Sequence, residues 1–311
     1  MRLNKAIEHL YLKVFVGIVV TNARNDVVVE LVKGGELKER IDKSFNTNSF
    51  DQTMAEFIAP YLAQTPFYYI ALLNPGEEQG ALPSCSDKWA QQFTDISAAV
   101  TLCQDKKWML YAAKSELDTA QHNYKEIGLD FIFSPFSVMK QFFHDQITAD
   151  IALFVLTQDD TISIAVFMDG KLLFAEHRGM QESETLIHDD DTASKNVEFD
   201  TEIALDSINT YERLSEGFNQ KVEEKRTFSL ENFDKDFKRF QLIRNALHHC
   251  YNDPKYENQF IESVYVADGC GVGEDLKTYL EEELFLNVEI RPVELASEVV
   301  DLAKIEAKHA V

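Results

Sequence analysis

A chain of 311 residues with 45% hydrophobic content can bury a core large enough for two lobes. Its 30 Lys plus Arg against 53 Asp plus Glu, a formal charge of -23, repel phosphate backbones and anionic lipid, so nucleic acid and direct seating on a membrane are disfavoured. Cys85, Cys103, Cys250 and Cys270 show no CxxC spacing, which predicts neither a disulfide framework nor a zinc knuckle and reads as an intracellular chain. No stretch reaches the ~18 to 20 apolar residues that cross a bilayer, and no small-residue cleavage site follows the apolar run near the start.

In chain order, residues 14–20 (VFVGIVV), 27–32 (VVVELV) and 36–45 (ELKERIDKSF) read as three strands, the second pair joined by a tight turn at Lys33-Gly34-Gly35. A helix follows in SFDQTMAEFIAPYLAQ, where Ser49 and Gln52 fit a capping box and Phe50, Met54, Phe57, Ile58, Tyr61 and Leu62 share a face. The strand FYYIALL comes next. Further on, WMLYAA reads as a strand leading into a helix over 115–127 ended by Gly128, and SPFSVMKQFF as a helix with Ser134 as N-cap and Pro135 in its first turn.

From Ile151 the same order returns. IALFVLT, TISIAVFM and KLLFAEH read as three strands, with Asp169-Gly170 suited to the positive φ of a type I′ turn. The helix FDKDFKRFQLIRNALHHCY, with Phe233, Phe237, Phe240, Ile243, Leu247 and Tyr251 on one face, precedes the strand SVYVA. A helix over 274–284, the strand NVEIRPV and a closing helix over 294–308 complete the half. The chain thus predicts a duplicated α/β fold with one lobe over 1–150 and a second over 151–311.

One region breaks the symmetry. Residues 181–235 carry fifteen acids and six bases, and read as an acidic insertion followed by an amphipathic helix with Ile208, Tyr211, Leu214, Phe218 and Val222 on one face. Either it is a solvated insertion or that face docks a partner.

A duplicated βββαβα unit resembles the actin, sugar-kinase and heat-shock-70 superfamily, whose members hold nucleotide between two lobes built on an RNase H-like fold. Within it, the chain resembles PilM of type IV pilus machines and the cytoplasmic domain of GspL from type II secretion. The residues that carry this are IALFVLTQDDTISIAVFMDGKLLFAEHRG, KSELDTAQHNYKEIGLDFIFSPFSVMKQFF and VYVADGCGVGEDLKTYLEEELFLNVEIRPVE.

The resemblance implies where a nucleotide site would lie. Nucleotide-binding relatives open each phosphate hairpin with Asp-x-Gly and small hydroxyl residues, so that backbone N–H groups reach phosphate and a carboxylate holds hydrated magnesium. Here the first hairpin keeps Gly17 with no acid before it, and turns through Thr21 and Asn22. The second has Asp159, Asp160 and Thr161 but no glycine, and the adenosine-side turn has Gly269, Gly271 and Gly273. Glu274 and Asp275 already complement the positive helix end there and would repel an anion.

These positions read as a vestigial cleft, so no cofactor is expected, with magnesium-ATP as the alternative. Elsewhere His248, His249 and Cys250 on adjacent helical positions, and the acidic run His188 to Thr192, lack the spacing of metal ligands, and Cys85 reads as a plain loop thiol. The resemblance implies a cytoplasmic, non-catalytic scaffold, held at the bacterial inner membrane by the tail of a pilus, DNA-uptake or type II secretion subunit, with the secretion ATPase as a second partner. A kinase or ATPase with unconventional phosphate loops is the alternative.

Overall fold

The computed structural model describes residues 11–180, 221–253, 256 and 260–309, and the side chains of all of these but 221–233 and 309. Two five-stranded sheets share one topology. The first comprises β1 (Leu12–Val20), β2 (Asn25–Lys33), β3 (Glu36–Phe45), β4 (Tyr68–Leu73) and β8 (Phe131–Phe133), in the order β3-β2-β1-β4-β8. The second comprises β9 (Ala152–Thr157), β10 (Thr161–Met168), β11 (Lys171–Gly179), β12 (Ser263–Asp268) and β13 (Asn287–Pro292), in the order β11-β10-β9-β12-β13. In each, three antiparallel strands are followed by two parallel ones.

The reasons are local. Central strands β1 and β9 are apolar runs buried on both faces, as strands covered from two sides must be. Both meander turns use two residues of positive φ, Gly34 and Gly35 at 66° and 83° and Asp169 and Gly170 at 52° and 63°, matching the twist of a tight hairpin. Parallel β4 needs a crossover, which α1 (Gln52–Leu62) supplies. Its cap differs from the predicted box: Asp51 accepts from the Met54 amide at 3.0 Å, while the Ser49 carbonyl is held by Asn25 and Gln52 pairs with Glu56. A carboxylate one residue before the helix is the better acceptor for its free amides.

A third sheet, β5 (Gln79–Leu82), β7 (Trp108–Ala113) and β6 (Ala99–Gln104) in the order β5-β7-β6, is inserted after β4 together with the short helix α2 (Asp87–Ala90). Of its strands only β7 is legible in the sequence. Cys85 and Cys103 form a disulfide across this insertion. The expectation of unpaired thiols is therefore wrong, and with it the cysteine-based case for a reducing compartment. Cysteines 18 apart in sequence meet because β5 and β6 flank β7 from both sides, with Leu82 and Cys103 both opposite Met109. Cys250 and Cys270 are free.

The remaining helices are α3 (Lys114–Asn123), α4 (Pro135–Phe142), α5 (Lys221–Asn252), α6 (Glu274–Glu283) and α7 (Leu295–His309). Helix α3 stops four residues before the predicted end, and Gly128 with φ 74° closes the turn that follows. In α4, Ser134 caps and Pro135 leads, as expected. Phe240, Ile243 and Leu247 of α5 are buried against the second sheet, whereas Phe237 is exposed. Residues Ile208, Tyr211, Leu214 and Phe218 of the predicted docking face, and the run His188 to Thr192, lie outside the described residues; of Val222 only its place in α5 is described.

The closing helix α7 does not stay with its own half: it packs across β1, β2 and β4 of the first sheet and against α4. A core containing Phe15, Phe154, Phe167, Val299 and Val300 thereby fills the space between the two sheets. Among the described residues no helix is long and apolar enough to cross a membrane.

Candidate functional site

Ligands of open α/β sheets lie outside the carboxyl ends of the strands. Here the ends of β1 and β4 and the β9–β10 turn frame a pocket of about 470 Å³ lined by residues of both halves, Thr21, Asn22, Asp160 and Thr161 among them. A second hollow of about 310 Å³ is bordered by Thr21, Arg24, Asp159 and Gly269. Six of the nine predicted positions thus gather around the interlobe cleft. Gly17, Gly271 and Gly273 line neither space.

The two hairpin tips touch. The Asn22 backbone N–H donates to the Asp160 carboxylate at 2.6 Å, and Thr21 Oγ1 accepts from the Arg24 amide within its own turn. The Asn22 donor at the first tip is therefore engaged by an acid of the second. Burial raises the Asp159 carboxyl above its ordinary range and Asp160 adds to this, against Arg24, Lys235 and Arg239.

Gly17 has a different task from the one its position suggested. A Cβ there would strike the Ala296 carbonyl and Val300, so the missing side chain admits α7 across the middle of β1. Gly269 likewise permits close packing, its added Cβ meeting the Thr157 carbonyl at 2.8 Å.

The glycine-rich turn is closed from within. Cys270 and Gly271 amides donate to Asp268 Oδ1 at 3.0 and 2.8 Å, and the Val272 amide to Oδ2 at 3.0 Å. The Gly273 amide donates to Asp236 at 2.8 Å, and this buried carboxylate pairs with Arg239 at 2.8 Å. The four amides of the turn before α6, Cys270 to Gly273, are thus taken by two side chains that sequence inspection did not single out. The signal was present in one of them: an aspartate directly before a glycine-rich turn caps its own following amides. Asp236 had none, since it lies 37 positions from its partner Gly273.

No group of three or more His, Cys, Asp or Glu among the described residues has the spacing of a metal site. His249 instead packs edge-on against Phe174 and Tyr256.

Comparison places this architecture among known folds. A protein from Bacteroides thetaiotaomicron VPI-5482, described as having an actin-like ATPase fold and unknown function, superposes with a TM-score of 0.52 at 10% identity, over 95% of this chain and 97% of that one. A PilM-PilN type IV pilus biogenesis complex is similar with a TM-score of 0.52 at 16% identity, over 91% of this chain and 89% of that one. The fold is accordingly the actin-like ATPase fold, two sheet-rich lobes of α/β type, and the identities carry no further than the fold. No curated protein matches the chain. Residues 11–140 match the model described as domain of unknown function DUF8569. Residues 153–308, half of the chain, match the model described as domain of unknown function DUF8341, and the chain belongs to that family.

Proposed function

We propose that this protein is a non-catalytic actin-like scaffold that takes a short cytoplasmic tail of an inner-membrane subunit of a pilus, DNA-uptake or secretion machine in its interlobe cleft. The observation that carries it is the bond from the Asn22 amide to Asp160, which engages at the first hairpin tip a backbone N–H of the kind that phosphate-binding hairpins turn to their ligand. The internally capped glycine turn supports the same reading, because its amides already serve Asp268 and Asp236. Similarity in fold to a PilM-PilN complex supplies the class of partner. Net charge of -23 favours a basic or amphipathic tail and speeds the encounter with it. Such a tail would hold the protein at the membrane without insertion, and the secretion ATPase would be a second partner.

Calorimetry tests both halves of the proposal. Tail peptides from the membrane subunits encoded beside this protein are expected to bind saturably at moderate salt, and magnesium-ATP is expected to give no heat of binding. Micromolar ATP binding that is lost in Asp159→Ala would replace the scaffold by an ATP-dependent kinase or ATPase. Failure of every tail peptide would end the scaffold assignment.

A further inference from the structure

The 470 Å³ pocket has a one-sided charge. Glu77, Glu116 and Asp160 line it, and among the described residues no Lys, Arg or His does. Its wall also holds polar atoms with no partner among the described residues: the hydroxyl of Tyr124, whose side chain is only 4% exposed, and Glu116 Oε2. A buried hydroxyl or carboxylate oxygen left without a partner is destabilising, and a bound donor would relieve it. Glu116 is held in place: its Oε1 accepts from the Glu77 and Glu78 amides at 3.1 and 3.2 Å, and its carboxylate lies where Gly76 lacks a Cβ.

From this geometry we infer that the pocket receives an alkylammonium group, and that its source is a lysine side chain of the docked tail. The chemistry follows from the acceptors. Glu116 and Asp160 each have an oxygen engaged by backbone amides, so neither offers the free pair of oxygens that a guanidinium fork requires. An ammonium is a compact charge with three donors, and it suits single acceptors from separate residues, here Glu116, Asp160 and the Tyr124 hydroxyl of the lining. Anions are repelled by all three acids. The choice of a lysine as source rests on the tail-docking proposal above, while the choice of ammonium rests on the pocket alone.

The test uses pentylamine hydrochloride as probe, with pentanol and pentanoate as controls, on the intact protein by ligand-observed NMR. Saturable binding of pentylammonium is expected, with no binding of pentanoate and at least fivefold weaker binding of pentanol. Glu116→Gln keeps the acceptor for the 77 and 78 amides and removes the charge, so it should weaken pentylammonium at least fivefold with the thermal transition unchanged. Tyr124→Phe should weaken it by a smaller factor. Displacement of pentylammonium by a lysine-containing tail peptide, but not by the same peptide with norleucine in place of lysine, supports the tail as source. Binding without displacement by any tail supports the ammonium pocket with a free amine as its ligand and removes the tail from it. Tail binding that Glu116→Gln leaves unchanged, with no pentylammonium binding, overturns the pocket while the scaffold proposal stands.

Discussion

The two lobes repeat one topology and fill it differently. Counting back from the hairpin turns, Gly17 of β1 corresponds to Phe154 of β9, and their parallel neighbours are Ala71 and Tyr265. In the first lobe this small pair lets α7 approach the sheet. In the second, Phe154 and Tyr265 stack at 5.3 Å and Phe143, just beyond α4, covers both. The outer strands differ as well. β3 carries a charge at most positions and stands in solvent, which protects an edge from pairing with another chain. β11 is largely covered, because β5 of the inserted sheet lies alongside it. Strand order can thus be held by backbone bonding alone, while each face is free to be filled by helix backbone or by aromatic rings.

Substitutions at the matched positions test that contrast directly. Phe154→Ala removes a fully buried ring from the stack and should cost about 3 to 5 kcal/mol in denaturant unfolding. A loss below about 1 kcal/mol would mean that the aromatic filling is dispensable. Removing the staple that only the first lobe's insertion carries, by Cys85→Ser with Cys103→Ser, should cost about 3 kcal/mol by the loop-closure model for a loop of 18 residues. Alkylation of the oxidised, denatured protein should label Cys250 and Cys270 alone, and four labelled thiols would contradict the disulfide. Gly17→Ala should cost about 1 to 3 kcal/mol, since α7 must retreat from the new methyl group. No loss in this variant would show that the helix is free to move off β1.

The smallest effect concerns the covered strand. Burial depresses His177 on β11 from its ordinary 6.5 to about 4, so the folded protein holds it neutral where the unfolded chain would protonate it. Its contribution is therefore full above about pH 6.5 and falls as pH drops towards 4. Wild type should lose about 1 kcal/mol more than His177→Gln between pH 7 and pH 5, a figure reduced for partial solvent access. Equal slopes for the two proteins would place His177 in water, in the way β3 is. The Ser163 hydroxyl, 2.8 Å from the His177 ring, offers glutamine a partner in the variant.

Much of the fold lay open in the amino-acid order because its signals are local. Apolar runs bounded by Lys33-Gly34-Gly35 and Asp169-Gly170 mark two meanders, and Ser134-Pro135 marks a helix start, with no distant residue needed. Strands β5 and β6 carry little such signal. β6 exposes Val100 and Leu102, and β5 is four residues long, so their pairing is imposed by β7 between them. The glycines show the same division. Their positions announced close approach, but what approaches was decided in three dimensions: α7 at Gly17, the Thr157 carbonyl at Gly269, and the carboxylate of Asp236 at Gly273. The sequence alone could place two hairpin tips rich in polar groups. That the Asn22 amide is spent on Asp160, 138 residues away, follows only when two sheets are brought face to face, because a hydrogen bond is fixed by distance in space and not along the chain.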